Sequence, residues 1–248
     1  MKDEKYNWKS ITVGFIVILL GILAVLVDYF LLKTPQNLWI SIGCSLIASG
    51  LVIFLTAIFL EKAPYNPLAE WGIEKIYSTR AEKEADSDRQ LEDAKYRLDV
   101  IAFGLKTFRS RHNKQIEECL NRGVNIRILT MRPDSKWVIQ REIEEKETRG
   151  QIKHTIEELV KWADELNEKS DRGKIVVCGY DAMTLDFYWR VDENLYVGPY
   201  WYGIPSQQTI TYKFNSKGKA FTQFTGYFEE LWENNELCKP LTKYQSLE

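Results

Sequence analysis

The sequence predicts an α/β protein in which an N-terminal two-helix transmembrane hairpin carries one cytosolic α/β domain. Two long apolar runs fill most of the first sixty positions, a proline-containing segment follows, and strand-like and helix-like segments then alternate. The predicted parts are a cytosolic N-terminal segment (1–10), the hairpin (11–60), a linker (61–72) and the α/β domain (73–248).

The two apolar runs are long enough to cross a membrane as helices. Residues 11–32 contain one charged residue, Asp28, and residues 38–60 contain none. Each run spans the ~30 Å of a hydrocarbon core at ~1.5 Å per residue. A signal peptide is the competing interpretation of the first run, but the run is longer than the usual apolar region and no A-x-A cleavage site follows. For Asp28, an interfacial carboxylate and a ring of carboxylates at a pore mouth both stay open.

The lysines that flank the runs predict the orientation of the hairpin. Lys2, Lys5 and Lys9 precede the first run, whereas the connection at 33–37 contains only Lys33. Because positively charged residues favour the cytoplasmic side, we expect a multi-pass protein with both termini in the cytoplasm.

Small residues mark one side of the second run. Ser41, Ser45 and Ser49 recur every fourth residue, with Gly43 and Gly50 nearby. Such a stripe is typical of close helix packing. Two alternatives follow: tight packing within the hairpin, or a pore lined by several hairpins. We expect a symmetric homo-oligomer, with four copies preferred.

Composition excludes several classes of site. The 33 Lys+Arg and 35 Asp+Glu give a formal charge of -2, so bulk charge offers no argument for nucleic-acid binding and any anion site must be local. The cysteines show neither CxxC nor His/Cys spacing, so we expect no metal site, no cofactor and a reducing compartment for the large domain. They are Cys44, Cys119, Cys178 and Cys238.

After a first helix beyond the linker, the order of predicted elements is β-α-β-α-β-β-β-α, with the segment that folds back counted as one. Such alternation predicts a parallel sheet core. The expected helices are 82–97, 109–121, 135–167 with a break at Gly150, and 219–234. The expected strands are 98–105, 124–131, 174–181, 184–200 folding back at 192–194, and 208–215.

Several of these segments resemble one half of a phospholipase D-like fold, over about residues 73–232. The resemblance is carried by strand, helix, Arg122-Gly123, a strand ending in Met131-Arg132-Pro133-Asp134, and a late hairpin with Val191-Asp192 and Val197-Gly198-Pro199. Active members carry HxKxxxxD, in which the histidine attacks phosphorus and the lysine binds the phosphate, followed by a G-S/T-x-N stretch. Asp192 and Gly198 fit that frame.

The two chemical positions of this motif depart from the family pattern. Leu185 stands where the histidine is expected and Phe187 where the lysine is expected. A side chain without lone pairs cannot attack phosphorus, so we expect no catalytic residue and no enzyme activity. A second HxK at His112 does not replace the motif, because its segment is predicted to be helical and Cys119 stands in the aspartate position.

A basic segment suggests an anion site at the edge of the sheet. Residues 105–114 contain Lys106, Arg109 and Arg111 without any acid, and Arg132 follows the next strand. The carboxyl ends of parallel strands and the following helix N-termini are natural anion sites. The alternative is a solvated basic helix face.

Aromatic residues crowd the late strands. Phe187 and Trp189 share one strand face, and Tyr200, Trp201 and Tyr202 follow the hairpin where active families place a site loop. Aromatic rings beside cations suit a nucleotide or single-stranded nucleic acid, whereas core packing is the alternative. The predicted ligand-binding set is Lys106, Arg109, Arg111, Arg132, Phe187, Trp189, Tyr200, Trp201 and Tyr202.

Two transmembrane helices joined to such a sensing domain resemble the membrane effectors of bacterial antiphage systems, in particular those of Hailong systems. The resemblance implies a bacterial inner-membrane protein and a companion nucleotidyltransferase that makes single-stranded deoxyadenylate oligomers. It also implies that these oligomers restrain the effector and that their loss leads to membrane disruption. Two other classes stay open: a membrane-anchored phospholipase D-like phosphodiesterase or nuclease, and a scaffold that binds a partner protein.

Overall fold

The computed structural model describes residues 8–32, 38–59, 66–183 and 186–245. Two compact units divide the chain, Met1–Asn66 and Pro67–Glu248. The second unit begins inside the stretch assigned above to the linker, because Pro67–Trp71 forms a short helix that contacts later elements of this unit. Four features named above lie outside the described residues: Lys2 and Lys5, the connection at 33–37 with Lys33, residues 60–65, and Leu185.

The first unit is a hairpin of two apolar helices. Helix α1 (Trp8–Val27) continues into a π-helical turn at Asp28–Leu32, and helix α2 covers Leu38–Phe59. Both helices are long and apolar enough to cross a membrane. Asp28 is buried in the hairpin, 1% exposed.

Glycines form the contact between these helices. Gly14 and Gly21 on α1, and Gly43 and Gly50 on α2, are buried and recur at seven-residue spacing. A Cβ on Gly21 would lie 2.7 Å from the Gly43 carbonyl oxygen, so the backbones touch where no side chain fits. Helices that meet along a seven-residue repeat pack as in a left-handed coiled coil.

The serine stripe does not take part in this contact. Ser41, Ser45 and Ser49 are exposed on the far side of α2, and the Ser45 hydroxyl donates to the Ser41 carbonyl 3.0 Å away. Of the two alternatives, packing within the hairpin therefore applies to Gly43 and Gly50 and not to the three serines. The glycines, which lie on the other face, make the close approach instead.

The second unit is a sheet flanked by helices, which confirms the predicted α/β class. Its helices are α3 (Pro67–Trp71), α4 (Glu84–Glu92), α5 (Lys106–Arg122), α6 (Lys136–Glu145), α7 (Gln151–Lys169) and α8 (Lys219–Glu233). Its strands are β1 (Ile73–Tyr77), β2 (Arg97–Ile101), β3 (Asn125–Met131), β4 (Ile175–Tyr180), β5 (Asp186–Val191), β6 (Asn194–Pro199), β7 (Thr211–Asn215) and β8 (Cys238–Pro240). Short 3-10 helices lie at Ala81–Lys83 and Ser206–Gln208.

The sheet has the order β1-β7-β6-β5-β2-β3-β4-β8 and is mixed. Strands β2, β3 and β4 are parallel, whereas every other pairing is antiparallel. The expectation of a parallel core thus holds for three strands only. The predicted hairpin is present: β5 and β6 pair antiparallel and turn back at Asp192, which has a φ of 48°.

The two positions that fit the phospholipase D frame have structural roles. The Asp192 carboxylate accepts the backbone N–H groups of Lys95, Tyr96 and Arg97 at 2.8 to 3.0 Å, and so fixes the start of β2. Gly198 lies where β6 passes β7, and a Cβ there would come within 3.0 Å of the Thr211 hydroxyl. Neither position requires a ligand to explain it.

Two apolar cores cover the two faces of the sheet. One core lies under α4, α5 and α7 and includes the inward faces of β2 to β6; the other includes residues of α6, α7 and α8. Strand alternation sends Phe187 and Trp189 into the first core and Tyr188 into the second. Strand β5 therefore presents the predicted aromatic face to α4 and α5, and this places the site described next.

Candidate functional site

A cavity of about 70 Å³ lies between α4, the N-terminal half of α5 and the face of β5. Two aromatic rings of β5, Phe187 and Trp189, form one wall, and Phe108 of α5 packs edge-on against Trp189 with ring centroids 4.8 Å apart. Leu91 and Leu105 line the rest of the cavity together with polar groups. Its polar and charged lining residues are Arg80, Lys83, Glu84, Ser87, Asp88, Thr107, Arg111, His112 and Gln207.

Two buried cations stand over the aromatic wall. Arg80 and Lys83 are only 4% and 6% exposed, because the 3-10 turn that carries them lies over the sheet. The Arg80 guanidinium carbon lies 4.1 Å from the centre of the Phe187 ring, and Lys83 Nζ lies 4.9 Å from the centre of the Trp189 ring. Positive charge is therefore held at the strand face that carries Phe187 and Trp189, and it comes from the turn before α4.

Neither cation has a carboxylate partner within 4.0 Å among the described residues. Arg80 Nη2 donates to the Thr209 hydroxyl at 3.1 Å and to the Pro199 carbonyl at 3.4 Å. Lys83 Nζ donates to the Ser87 hydroxyl at 3.2 Å. These neutral acceptors solvate the cations without neutralising them.

The carboxylates around the cavity are engaged by other groups. Arg111 donates to Glu84 and, at 2.9 Å, to Asp88. Asp86 accepts from Tyr77 at 2.5 Å and from Tyr196 and Lys213 at 3.1 Å each. Burial raises the pKa of Asp86, but these hydrogen bonds outweigh it and hold the pKa below its usual value.

Two buried donor atoms of residues around the cavity have no hydrogen-bond partner in the described part of the chain. They are Arg80 Nε and Trp189 Nε1. Their side chains are at least nine-tenths buried, so bulk water does not satisfy them. A buried donor left without an acceptor costs about 1–3 kcal/mol, more when it is charged. The side chains around the cavity thus include two unpaired donors, and its charged lining comprises three cations and two carboxylates.

The electrostatics of Lys83 follow from this arrangement. Burial, followed by the nearby Arg80 charge, lowers the pKa of Lys83 to about 7. Burial also lowers the pKa of Arg80. An anion in the cavity would reverse both effects by favouring the charged forms.

The structure brings together three members of the predicted ligand-binding set. Arg111, Phe187 and Trp189 line the cavity. Phe187 and Trp189 are buried at 5% and 4% exposure, so they form a wall and offer no free face to a stacking base.

The remaining predicted cations lie elsewhere. Arg109 donates to the Glu158 carboxylate at 3.0 Å, and Arg132 donates to Asp134 at 2.6 Å. Lys106 borders a second cavity, of about 380 Å³, at the start of α7. The expectation that Lys106, Arg109 and Arg132 share one site with the aromatic strands is therefore not supported by their positions.

The three aromatics after β6 divide into one packed ring and two exposed rings. Tyr200 packs against Phe103 with centroids 4.7 Å apart, and the Arg80 guanidinium lies 4.9 Å from its ring centre. Trp201 and Tyr202 are 44% and 75% exposed. The loop that carries them continues to Gln207 at the cavity wall.

Sequence reasoning missed Arg80 and Lys83, and it considered His112 but set it aside. Arg80 and Lys83 are three residues apart at the start of a segment rich in glutamate and aspartate, so local charge gave no signal. His112 is 8% exposed, with Nε2 3.4 Å from Asp88. Within the described ranges, no group of three or more His, Cys, Asp or Glu side chains is placed to hold a metal ion.

Comparison with known proteins gives only distant similarity. No protein-family model matches the chain, and no curated protein matches it significantly. Three solved structures are similar: TrmBL2, an archaeal chromatin protein with a novel mode of DNA binding (TM-score 0.41, 14% identity), NucT from Helicobacter pylori (0.40, 10%) and phosphatidylserine synthase from Haemophilus influenzae Rd KW20 (0.42, 8%).

The overlap with these three proteins differs in extent. The similarity to TrmBL2 covers 84% of this chain and 67% of that protein. For NucT the two shares are 66% and 96%, and for the phosphatidylserine synthase they are 70% and 40%. The chain thus spans less than half of the phosphatidylserine synthase. Scores this low assign neither a family nor a function to the chain.

Proposed function

We propose that this chain is a membrane-anchored sensor whose α/β domain binds a phosphate of a nucleotide-derived ligand in the Arg80–Lys83 cavity. The observation that carries the proposal is the pair of buried cations with unused donors. Burying a charge without a partner is costly, and a bound anion offsets that cost. Phosphate oxygens accept charge-assisted hydrogen bonds from arginine and lysine.

The nucleotide character of the ligand follows from the loop beside the cavity. Trp201 and Tyr202 expose ring faces to solvent, and the same loop reaches the cavity at Gln207. A base stacked on an aromatic ring contributes about 1–3 kcal/mol. We therefore propose that a single ligand, a nucleotide or single-stranded oligonucleotide, places its phosphate in the cavity and its base on this loop.

The proposed output is a change in the membrane hairpin. In this proposal the hairpins assemble into a homo-oligomer, with four copies preferred, in a bacterial inner membrane. Ligand binding controls whether the oligomer disrupts the membrane, as the resemblance to Hailong effectors of antiphage defence implies. A companion nucleotidyltransferase would supply the ligand, and the degenerate phospholipase D-like motif would bind without catalysis.

The binding test uses the full chain in detergent and a fluorescent single-stranded DNA hexamer, titrated at two salt concentrations. We expect Arg80→Gln and Lys83→Met to weaken binding and to reduce the salt slope by about 0.7 per lost contact. Trp201→Ala should cost about 1–3 kcal/mol with the slope nearly unchanged, because stacking releases no counterions.

Lys114→Met is the matched control for this titration. Lys114 lies on α5, but its side chain is 90% exposed and pairs with Glu118 on the surface. Its loss should leave the affinity within about twofold, since exposed pairs contribute little. If neither the hexamer nor mononucleotides bind at low salt, the sensor proposal fails and a scaffold that binds a partner protein takes its place.

A second candidate, a phosphoesterase, is favoured by one observation. His112 lines the same cavity as Lys83, and Asp88 contacts its Nε2. Mass spectrometry of the hexamer after incubation distinguishes the two functions. An intact hexamer supports the sensor, whereas cleavage that His112→Gln abolishes supports the esterase.

The proposed orientation has a direct test in spheroplasts. Since the flanking lysines predict that both termini lie in the cytoplasm, a cysteine at Gln36 should react with an impermeant thiol reagent while a cysteine at Asp3 should not. Cys44 is replaced by alanine in both variants so that the span itself does not react. The reverse labelling pattern would contradict a domain that faces the cytoplasm.

A further inference from the structure

We propose that Arg80 is a positioning residue for the loop that carries Trp201 and Tyr202. Its guanidinium holds both ends of this loop and so fixes where the two exposed rings meet the ligand. The aromatic loop comprises residues 200–208 and joins β6 to β7. The inference rests on the proposed function and makes it more specific, because the phosphate site and the stacking site then depend on one side chain.

The hydrogen bonds of Arg80 reach both ends of the aromatic loop. Arg80 Nη2 donates to the carbonyl of Pro199, which directly precedes the loop, at 3.4 Å. The same nitrogen donates at 3.1 Å to the hydroxyl of Thr209, which directly follows the loop. Thr209 is fully buried, and its hydroxyl donates in turn to the Ser206 carbonyl at 3.0 Å. One charged nitrogen thus joins the two ends of the loop.

The first residue of the loop, Tyr200, is held by two cations. The guanidinium carbons of Arg80 and of Arg141 on α6 lie 4.9 and 4.8 Å from the centre of its ring. Both arginines are buried, at 4% and 3% exposure. Attraction between a cation and an aromatic ring is strongest when the cation is desolvated. Tyr200 therefore ties the loop to the turn before α4 and to α6 together.

The rest of the loop has little buried surface to hold it. The Gly203 N–H donates to the Glu144 carbonyl of α6 at 3.1 Å. The exposed side chains of the loop are those of Trp201, Tyr202, Pro205, Gln207 and Gln208. A segment that buries few apolar contacts opens locally at a small free-energy cost. Its position therefore depends on the contacts at its two ends.

Arg80 also belongs to the cavity, where its guanidinium carbon lies 4.1 Å from the centre of the Phe187 ring. Two variants separate its charge from its hold on the loop. Arg80→Lys keeps the charge, but the lysine ammonium ends about where the guanidinium carbon lies, one bond short of Nη2, and loses the planar group. Thr209→Val leaves Arg80 in place and removes one acceptor, and Thr209 does not line the cavity.

Hydrogen exchange of the unliganded full chain in detergent, followed by mass spectrometry, measures the hold directly. We expect Arg80→Lys to speed exchange in residues 200–208 by about 10- to 100-fold, as the loss of hydrogen bonds from a charged donor predicts. Thr209→Val should act in the same direction by a smaller factor. Lys83→Met should leave this exchange unchanged, because Lys83 donates to Ser87 and not to the loop. Thr222→Val, exposed on α8, is the matched control for Thr209→Val.

The fluorescent DNA hexamer shows whether the position of the loop matters for binding. In the unmodified chain, Trp201→Ala should weaken binding by about 5- to 150-fold, the value of one stacked base. When combined with Arg80→Lys or Thr209→Val, the same substitution should change the affinity by no more than about twofold, because the ring is no longer held in place. Such non-additivity is the sign of coupled residues. Thr209→Val should keep the salt slope, since no charge is lost.

The outcomes separate this inference from the proposed function. If exchange in residues 200–208 is the same in Arg80→Lys, Thr209→Val and the unmodified chain, Arg80 does not hold the loop and the inference is wrong, whereas hexamer binding would still support the sensor. An equal loss on Trp201→Ala in all three backgrounds also overturns it. If the hexamer does not bind at low salt, the sensor proposal fails, while faster exchange in both variants would still support the role of Arg80 in the loop.

Discussion

Replacing Asp99 with alanine is expected to lower the free energy of unfolding by about 3–5 kcal/mol. Asp99 is fully buried on β2, and Arg127 of β3 donates to its two carboxylate oxygens at 2.7 and 3.0 Å. Arg190 of β5 lies 3.6 Å from the same carboxylate. Without Asp99, two arginines in the middle of the sheet would lose their shared buried counter-charge.

Glu229 limits but does not cancel this effect. It accepts two hydrogen bonds of 2.6 Å from Arg127, yet its side chain is 35% exposed and cannot replace a fully buried carboxylate. The hydrogen bonds from Arg127 lower the pKa of Glu229, so this second partner stays ionised well into the acid range. The measurement is urea unfolding of the full chain in detergent, followed by tryptophan fluorescence.

Glu168→Ala is the control, because its partner Lys243 is also exposed, with side-chain exposures of 68% and 78%. Surface pairs contribute about 0–1 kcal/mol, so this variant should unfold close to the unmodified chain. Equal losses for Asp99→Ala and Glu168→Ala would show that the buried network does not stabilise the sheet.

Local sequence signals made some parts of the fold predictable, whereas parts that depend on distant partners were not. The β5–β6 hairpin was predicted because Asp192, Glu193 and Asn194 form a local turn signal. Strands β1 and β8 were missed because they are short edge strands that take their hydrogen bonds from distant partners. Whether a strand runs parallel depends on the order of the whole sheet, which local periodicity does not report.

The candidate site shows the same division between local and distant information. Alternation along β5 correctly placed Phe187 and Trp189 on one face, because strand periodicity is local. The basic run on α5 gave a misleading prediction of an anion site, because Arg109 binds Glu158, 49 residues away on α7. Neither the charge nor the spacing of Arg80 and Lys83 distinguishes them in the sequence, and only packing of their turn over the sheet buries them.

Replacing Gly21 with leucine is expected to force the two apolar helices apart. A Cβ at this position would already lie 2.7 Å from the Gly43 carbonyl oxygen and from Ile47 Cγ1, and the larger side chain has no room to turn away from the α2 backbone. Overpacking destabilises a core by about 1–3 kcal/mol where side chains can adjust. Because Gly21 contacts backbone, which cannot adjust in this way, we expect a destabilisation at the upper end of that range. Gly21→Ala should show a smaller effect in the same direction.

Ala48→Leu is the matched control, because Ala48 is exposed on α2 and the added bulk meets no helix of the same hairpin. The measurement is the temperature at which half of the detergent-solubilised chain aggregates, with size-exclusion chromatography to report the oligomer. We expect Gly21→Leu to lower that temperature strongly and Ala48→Leu to leave it unchanged, because only Gly21 lies in the contact between α1 and α2. The opposite result would be that Ala48→Leu disperses the oligomer while Gly21→Leu leaves the aggregation temperature unchanged. In that case the glycine face does not hold the hairpin together, and the exposed serine side of α2 is the contact that matters for assembly.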